Sequence, residues 1–110
     1  MKKFEVRLSP IAEHKLEKIA EYILEEFGLK SRNKFLELFT EHVRKLEEYP
    51  ETGTESTLLK GLRKNVVSKQ TSFYYLIRNK QVFILTITDN RQKPEKILKE
   101  VKTIANIELC

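Results

Sequence analysis

At 110 residues the chain has room for one domain with a hydrophobic core, and not for two. It is 40% hydrophobic and 34% charged, as soluble globular chains commonly are, and its one cysteine, the terminal Cys110, excludes an internal disulfide and multi-cysteine metal sites. The net charge of +5 is unevenly spread: residues 1–57 hold ten Lys/Arg against twelve Asp/Glu, net −2, and residues 58–110 hold eleven against four, net +7. Such asymmetry suggests a basic face directed at an anion or an acidic partner, the alternative being a solvated lysine-rich surface. The first ten residues lack the apolar run of a secretory signal, and no apolar stretch approaches a membrane span. A cytoplasmic protein without a membrane partner is expected.

Phe4, Val6 and Leu8 alternate with Glu5 and Arg7, the period of a half-buried strand. Ser9-Pro10 reads as a helix N-cap followed by proline at the first helical position. Ile11/Ala12, Leu16, Ile19/Ala20, Ile23 and Phe27 then recur at helical spacing, and Gly28 is a natural C-cap. The stripe Phe35, Leu38/Phe39, His42/Val43 and Leu46 predicts a second helix from about Ser31 to Tyr49, ended by Pro50. Two amphipathic helices this close fold back as a hairpin. Each has one apolar face, so both are expected on the same face of a sheet.

After a polar loop, Glu51–Thr57, the chain reads mostly as strand: Leu58–Val67 with Gly61 a candidate break, then Ser72–Ile77 and Val82–Thr88. Lys69-Gln70-Thr71 makes one turn. Arg78 to Gln81 makes a tight hairpin turn, although Asn79-Lys80 lacks the usual glycine. Beyond Pro94, Ile97/Leu98, Val101 and Ile104/Ala105 suggest a short amphipathic helix or a tail lying in a groove. The expectation is a single α+β domain over residues 1–110. It has an N-terminal strand, an α-helical hairpin packed on one face of a small, mainly antiparallel four-stranded sheet, and a C-terminal tail helix. The hairpin should pack through Leu16, Ile19, Ile23, Phe27, Phe35, Phe39, Val43 and Leu46, with Ile84 or Leu85 at the centre of the sheet. Tyr74 and Tyr75 point to opposite faces, so one is expected in the core and the other toward solvent or a partner.

GLRK at Gly61–Lys64 and DNRQKP at Asp89–Pro94 place Arg63, Lys64, Arg91 and Lys93 at the ends of two neighbouring strands. Cations so placed can stabilise phosphate charge or pair with an acidic partner. His14 and His42 lie on helices with no acid or nucleophile at catalytic spacing, and Asp89 has no second carboxylate nearby in sequence. No metal or cofactor is expected, and Cys110 is read as an exposed thiol without function.

The ordered set LSP-IA, YI..EFG, EYPETG, GLRK, SFYYLI, VFILTI and DNRQKP resembles the RelE/ParE superfamily of toxins from type II toxin–antitoxin modules, over essentially the whole chain. The resemblance implies a helical hairpin on a small sheet. It also implies a plasmid-stabilization type of module, in which a cognate antitoxin wraps the toxin with its C-terminal segment. That segment is expected to add as a strand or helix along the sheet edge and pair its acids with Arg63, Lys64 and Arg91. Arg63, Lys64, Tyr75, Arg91 and Lys93 are the expected antitoxin or target contacts. Members of the ParE type inhibit DNA gyrase, whereas those of the RelE type cleave mRNA in the ribosome. For a ribonuclease the resemblance assigns Arg63, Lys64, Arg91 and Lys93 as candidate catalytic residues.

This sequence has Asn65 where RelE-type enzymes carry a second strand lysine, and Ile97 near their expected tyrosine. Its last tyrosine is Tyr75 and its last histidine His42, so an aromatic proton-transfer group after the final strand is missing. Gyrase inhibition is therefore the expected activity, with ribosome-dependent mRNA cleavage the alternative. A nucleic-acid-binding module without toxicity is the second alternative, since the basic half would give salt-dependent phosphate affinity in any case.

Overall fold

In a computed structural model the chain is described over residues 4–109, with side chains described to Asn106; Cys110 lies outside the described residues. β1 spans Glu5–Leu8 and passes into α1, Pro10–Phe27, through Ser9. Ser9 Oγ accepts from Ala12 N at 3.0 Å, satisfying one of the free N–H groups of the first turn. The same hydroxyl donates to Leu85 O at 2.7 Å, so the cap also fixes the helix start to the sheet. α2, Leu29–Glu48, follows after the single residue Gly28. Gly28 has φ +93°, donates its N–H to Leu24 O and accepts from Arg32 N, closing one helix and opening the next. One glycine suffices to reverse the chain, which is why α2 begins two residues before the predicted Ser31.

Four further strands complete the sheet: β2 Thr54–Glu55, β3 Arg63–Val66, β4 Thr71–Arg78 and β5 Gln81–Asp89. Their order is β1-β5-β4-β3-β2, with β1 parallel to β5 and the other pairs antiparallel. The sheet thus has five strands and is mixed, where four had been expected. The additional strand, β2, is a two-residue pairing of Thr54 with Lys64 and Glu55 with Arg63, too short to leave a periodic signal in the polar loop. The predicted strand Leu58–Val67 is strand only from Arg63 onward. Leu58–Leu62 instead forms a loop closed by Ser56 N on Leu62 O at 2.8 Å and Leu62 N on Leu59 O at 3.1 Å. The β4–β5 turn is as tight as expected: Asn79 and Lys80 take φ +48° and +63°, the left-handed pair of a type I′ hairpin turn.

α3, Pro94–Leu109, covers the sheet face opposite the hairpin, so the sheet is the middle of three layers. On the hairpin side Ala12, Phe35, Phe39 and Leu46 pack with Phe73, Tyr75, Val82, Ile84 and Ile87. On the other side Ile97, Val101 and Ile104 of α3 pack with Leu62, Tyr74 and Leu85. A bulge in β5 divides its apolar run between these cores. Tyr74 pairs with Thr86 but Tyr75 pairs with Ile84, leaving Leu85 as the extra residue. Ile84 and Ile87 consequently face the hairpin, while Leu85 faces α3.

Leu16, Ile19, Ile23 and Val43 pack against the hairpin-side core as expected. Phe27 does not: it is 66% exposed, at the hairpin tip, in edge-to-face contact with Tyr22 at 6.4 Å between centroids. Tyr74 and Tyr75 take opposite faces, and both are buried, because α3 supplies a core where solvent or a partner was expected.

Candidate functional site

The cations at the strand ends do not converge. β3 and β5 run in the same direction, two strands apart, and Arg63 is level with Ile84 through their shared neighbour Tyr75. Arg91 lies beyond Asp89, the last residue of β5, which pairs with Thr71 four residues along β4, so it is at least about 13 Å further along the strand direction and about 10 Å across it. Arg63 and Lys64, being consecutive strand residues, point to opposite faces: Arg63 pairs with Tyr75 on the hairpin side and Lys64 with Tyr74 on the α3 side.

Arg63 is turned inward. Its Nη1 donates to Gly53 O at 2.7 Å and Glu51 O at 3.2 Å, and its Nη2 lies 3.6 Å from Glu55 Oε1. The expected partner was phosphate charge or an acidic partner. The guanidinium instead satisfies carbonyls of the Pro50–Thr52 3-10 turn and its flank, because those groups have no ladder partner of their own.

Tyr75, expected to contact a partner, is fully buried and serves the same loop. Its hydroxyl donates to Pro50 O at 2.7 Å and accepts from Gly53 N at 2.9 Å. Burial pushes the Tyr75 phenol up, against the lowering effect of the Gly53 N–H bond and of Arg63. Tyr75 therefore offers no surface to an antitoxin or target.

Lys64 Nζ stands 5.9 Å from the centroid of the Tyr74 ring, a cation–π arrangement. Burial also raises the Tyr74 phenol, which keeps it protonated and makes it a poorer proton donor than a free tyrosine.

The exposed end of the sheet is the Asp89–Lys93 turn. Asn90 ties it down: its N–H donates to Gln70 O at 2.8 Å, its Nδ2 to Lys69 O at 2.8 Å and Ser68 O at 3.2 Å, and Ser72 Oγ donates to its Oδ1 at 2.5 Å. Asp89 grips Arg91, accepting its N–H and Nε at Oδ1 (2.8 and 3.1 Å) and its Nη2 at Oδ2 (2.8 Å). The Arg91 side-chain bond, then the Arg91 backbone bond, lower the Asp89 carboxyl to about 2. Arg91 remains 87% exposed despite this pairing. Lys93 is exposed beside it, and its carbonyl accepts from Lys96 N and Ile97 N at the start of α3. This turn is the accessible cationic surface among the four expected residues.

Two features escaped sequence reasoning. Tyr22, Phe27 and Leu29 form an exposed apolar tip on the hairpin. Phe27 fits the helical stripe and so reads as core, but it is the last residue of α1 and lies exposed. Lys15 of α1 donates to Glu100 Oε1 of α3 at 2.5 Å and to Thr86 Oγ1 at 3.1 Å, and Thr86 also donates to Glu100. That network joins three elements whose sequence separation hides the contact. Among the described residues no three His, Cys, Asp or Glu side chains gather as a metal set, and no helix is long and apolar enough to cross a membrane.

The fold resembles known toxins. A chromosomal ParDE toxin–antitoxin system from P. aeruginosa contains a chain that aligns with TM-score 0.69 and 19% identity, over 79% of this chain and 96% of that one. The YoeB dimer from Staphylococcus aureus aligns with TM-score 0.56 and 12% identity, over 78% and 95%. A copper-bound mutant toxin from Helicobacter pylori aligns with TM-score 0.51 and 15% identity, over 80% and 96%. At these identities the likenesses establish the fold and no more. No curated protein matches by sequence. The family model described as ParE toxin of type II toxin-antitoxin system, parDE, matches residues 6–94, which takes in β1 from Val6, the other four strands, the helical hairpin and the Asp89–Lys93 turn. The chain belongs to the ParE toxin family of type II toxin–antitoxin systems.

Proposed function

We propose that this toxin acts by inhibiting DNA gyrase and is neutralised by a cognate antitoxin. The observation that carries the choice of target is the dispersal of these cations, with Arg63 and Lys64 on opposite faces in the middle of the sheet and Arg91 beyond its end. Metal-free RNA cleavage needs a base, an acid and fixed cations within hydrogen-bond reach of one phosphate. Arg63 is occupied by loop carbonyls, and the tyrosine beside Lys64 is buried with a raised phenol. Binding to a large partner makes no such demand, since separate docking charges each contribute from their own place. Arg91 and Lys93, exposed at one end of the sheet, fit that role.

Purified protein added to gyrase and relaxed plasmid should block supercoiling or accumulate cleaved DNA, and should leave mRNA on translating ribosomes intact. Codon-positioned mRNA cuts with unimpaired supercoiling would reverse the assignment.

A further inference from the structure

α1 and α3 leave between them a cavity of about 260 Å³ lined by Ile11, Lys96, Lys99, Glu100, Thr103 and Ile104. Its floor is apolar: Ile104 is buried, and Ile11, the second residue of α1, stays 40% exposed. Its rim is cationic, because Lys96 and Lys99 are both exposed. The one acid there, Glu100, is already bonded to Lys15 and Thr86. The groove therefore presents apolar surface and uncompensated positive charge together.

Its walls are also fixed. The Lys15–Glu100 pair, with side chains 28% and 23% exposed, bridges α1 to α3, and Ile97, Val101 and Ile104 anchor α3 on the sheet. A preformed groove avoids part of the ordering cost of binding.

The α3 side lies past the family-matched residues 6–94. We propose that this groove docks an acidic segment of the antitoxin with an apolar anchor, and that α3 thereby selects the cognate antitoxin. This rests on the reading of the chain as a toxin neutralised by such a partner. One apolar side chain of the segment sits on Ile11 and Ile104, and flanking carboxylates pair with Lys96 and Lys99. Apolar contacts set the position and the charges set the encounter rate and the choice of partner.

The test starts from growth arrest on induction of the toxin and its reversal by a co-expressed antitoxin. That antitoxin, purified, is the probe, and its binding is followed by biolayer interferometry at low and physiological salt. Lys96→Glu/Lys99→Glu and Ile11→Ser should each dissociate about tenfold faster or more, with the double variant also losing salt dependence. Lys30→Glu/Lys34→Glu, which changes charge equally on exposed positions of α2, should bind as the unaltered toxin does. Thermal melts establish that each variant is folded. Arrest and rescue with unchanged dissociation in all variants would refute the groove and leave the toxin reading standing. Absence of arrest would remove that reading and the groove with it. A self-associated chain that Lys96→Glu/Lys99→Glu makes monomeric would overturn the proposal in favour of a second copy as occupant.

Discussion

Asn65 Oδ1 lies 2.8 Å from His42 Nδ1, joining β3 to α2 on the hairpin side of the sheet. An amide oxygen only accepts, so the imidazole carries a proton on Nδ1. Asn65 is buried and pairs with Phe73, itself in the hairpin-side core. Position 65 is where the ribonucleases of the superfamily resemblance would carry a strand lysine. Here its side chain is turned inward, onto α2.

Asn65→Ala leaves a half-buried imidazole N–H without its acceptor and should cost about 1–3 kcal/mol in urea unfolding. Asn65→Lys should cost more, since an ammonium would replace a buried amide beside Phe73 of the hairpin-side core. That variant should gain no ribonuclease activity. A stable Asn65→Lys protein that cleaves RNA would show the strand presenting this position outward.

The Pro50–Glu55 loop predicts a pair of destabilised variants. An ideal Cβ on Gly53 would fall 2.5 Å from Tyr75 Oη and 2.8 Å from Lys64 O, so Gly53→Ala must displace backbone or the buried tyrosine. Tyr75→Phe keeps the ring but strips Pro50 O and Gly53 N of their partner, for about 1–3 kcal/mol. Combining Gly53→Ala with Tyr75→Phe should cost somewhat less than the two separate losses added, because losing Oη removes the 2.5 Å conflict while those with Lys64 O and the ring remain. Additive losses in a double-mutant cycle would place the steric conflict elsewhere.

Two cores imply two kinds of large-to-small cost. Leu85→Ala, facing α3, and Phe39→Ala, facing the sheet from α2, should each cost about 2–5 kcal/mol. Phe27→Ser should change stability by no more than about 0.5 kcal/mol, since that ring packs on Tyr22 at an exposed tip. Unfolding free energies from denaturant titration rank the three. A large loss at Phe27 would mean the tip is buried in solution.

The fold was legible wherever periodicity was long enough to carry a face. The two hairpin helices, the hairpin β4–β5 and the amphipathic α3 all follow from spacing, and Ser9 and Gly28 cap where their residue types predict. What stayed hidden depends on contacts distant in sequence. Leu58–Leu62 reads as strand because Leu62 is apolar and buried, yet it is buried as a loop anchor beneath α3. The β5 bulge is invisible in an unbroken apolar run, and with it the division of Ile84 from Leu85. Arg63 reads as a free cation until the unpaired carbonyls of Glu51 and Gly53 are seen beside it. Site residues are harder to read than core residues because a charge announces its sign in the sequence and not its partner.

The Asp89–Arg91 pair gives a pH signature with a definite sign. Its carboxyl is lowered to about 2 from an ordinary 3.8, chiefly by the Arg91 side chain. A depressed acid contributes stability above its unfolded pKa and loses it as pH falls through the folded value, here between about 4 and 2. Because the pair is exposed, the effect on global stability should be small. Carboxyl NMR should follow Asp89 titrating near 2, and Arg91→Ala should return it toward 3.8. An Asp89 that already titrates near 3.8 in the unaltered protein would mean that Arg91 is free in solution.

The same pair bears on inhibition. Arg91 and Lys93 are exposed, whereas Arg63 is engaged with the loop. As docking charges, Arg91→Ala and Lys93→Ala should each weaken gyrase inhibition gradually, by about 1–3 kcal/mol of apparent affinity, and reduce its salt dependence. Arg63→Ala should first appear as lost stability, by loosening Glu51 and Gly53, with inhibition falling only as the folded fraction falls. Asp89→Asn frees the Arg91 guanidinium from its intramolecular anion and should strengthen binding to an acidic or phosphate-bearing target. Inhibition curves at two salt concentrations, beside a melting temperature for each variant, separate these effects. An Arg63→Ala protein that stays fully folded yet loses inhibition outright, with Arg91→Ala and Lys93→Ala unimpaired, would move the contact surface to β3 and the loop that Arg63 holds.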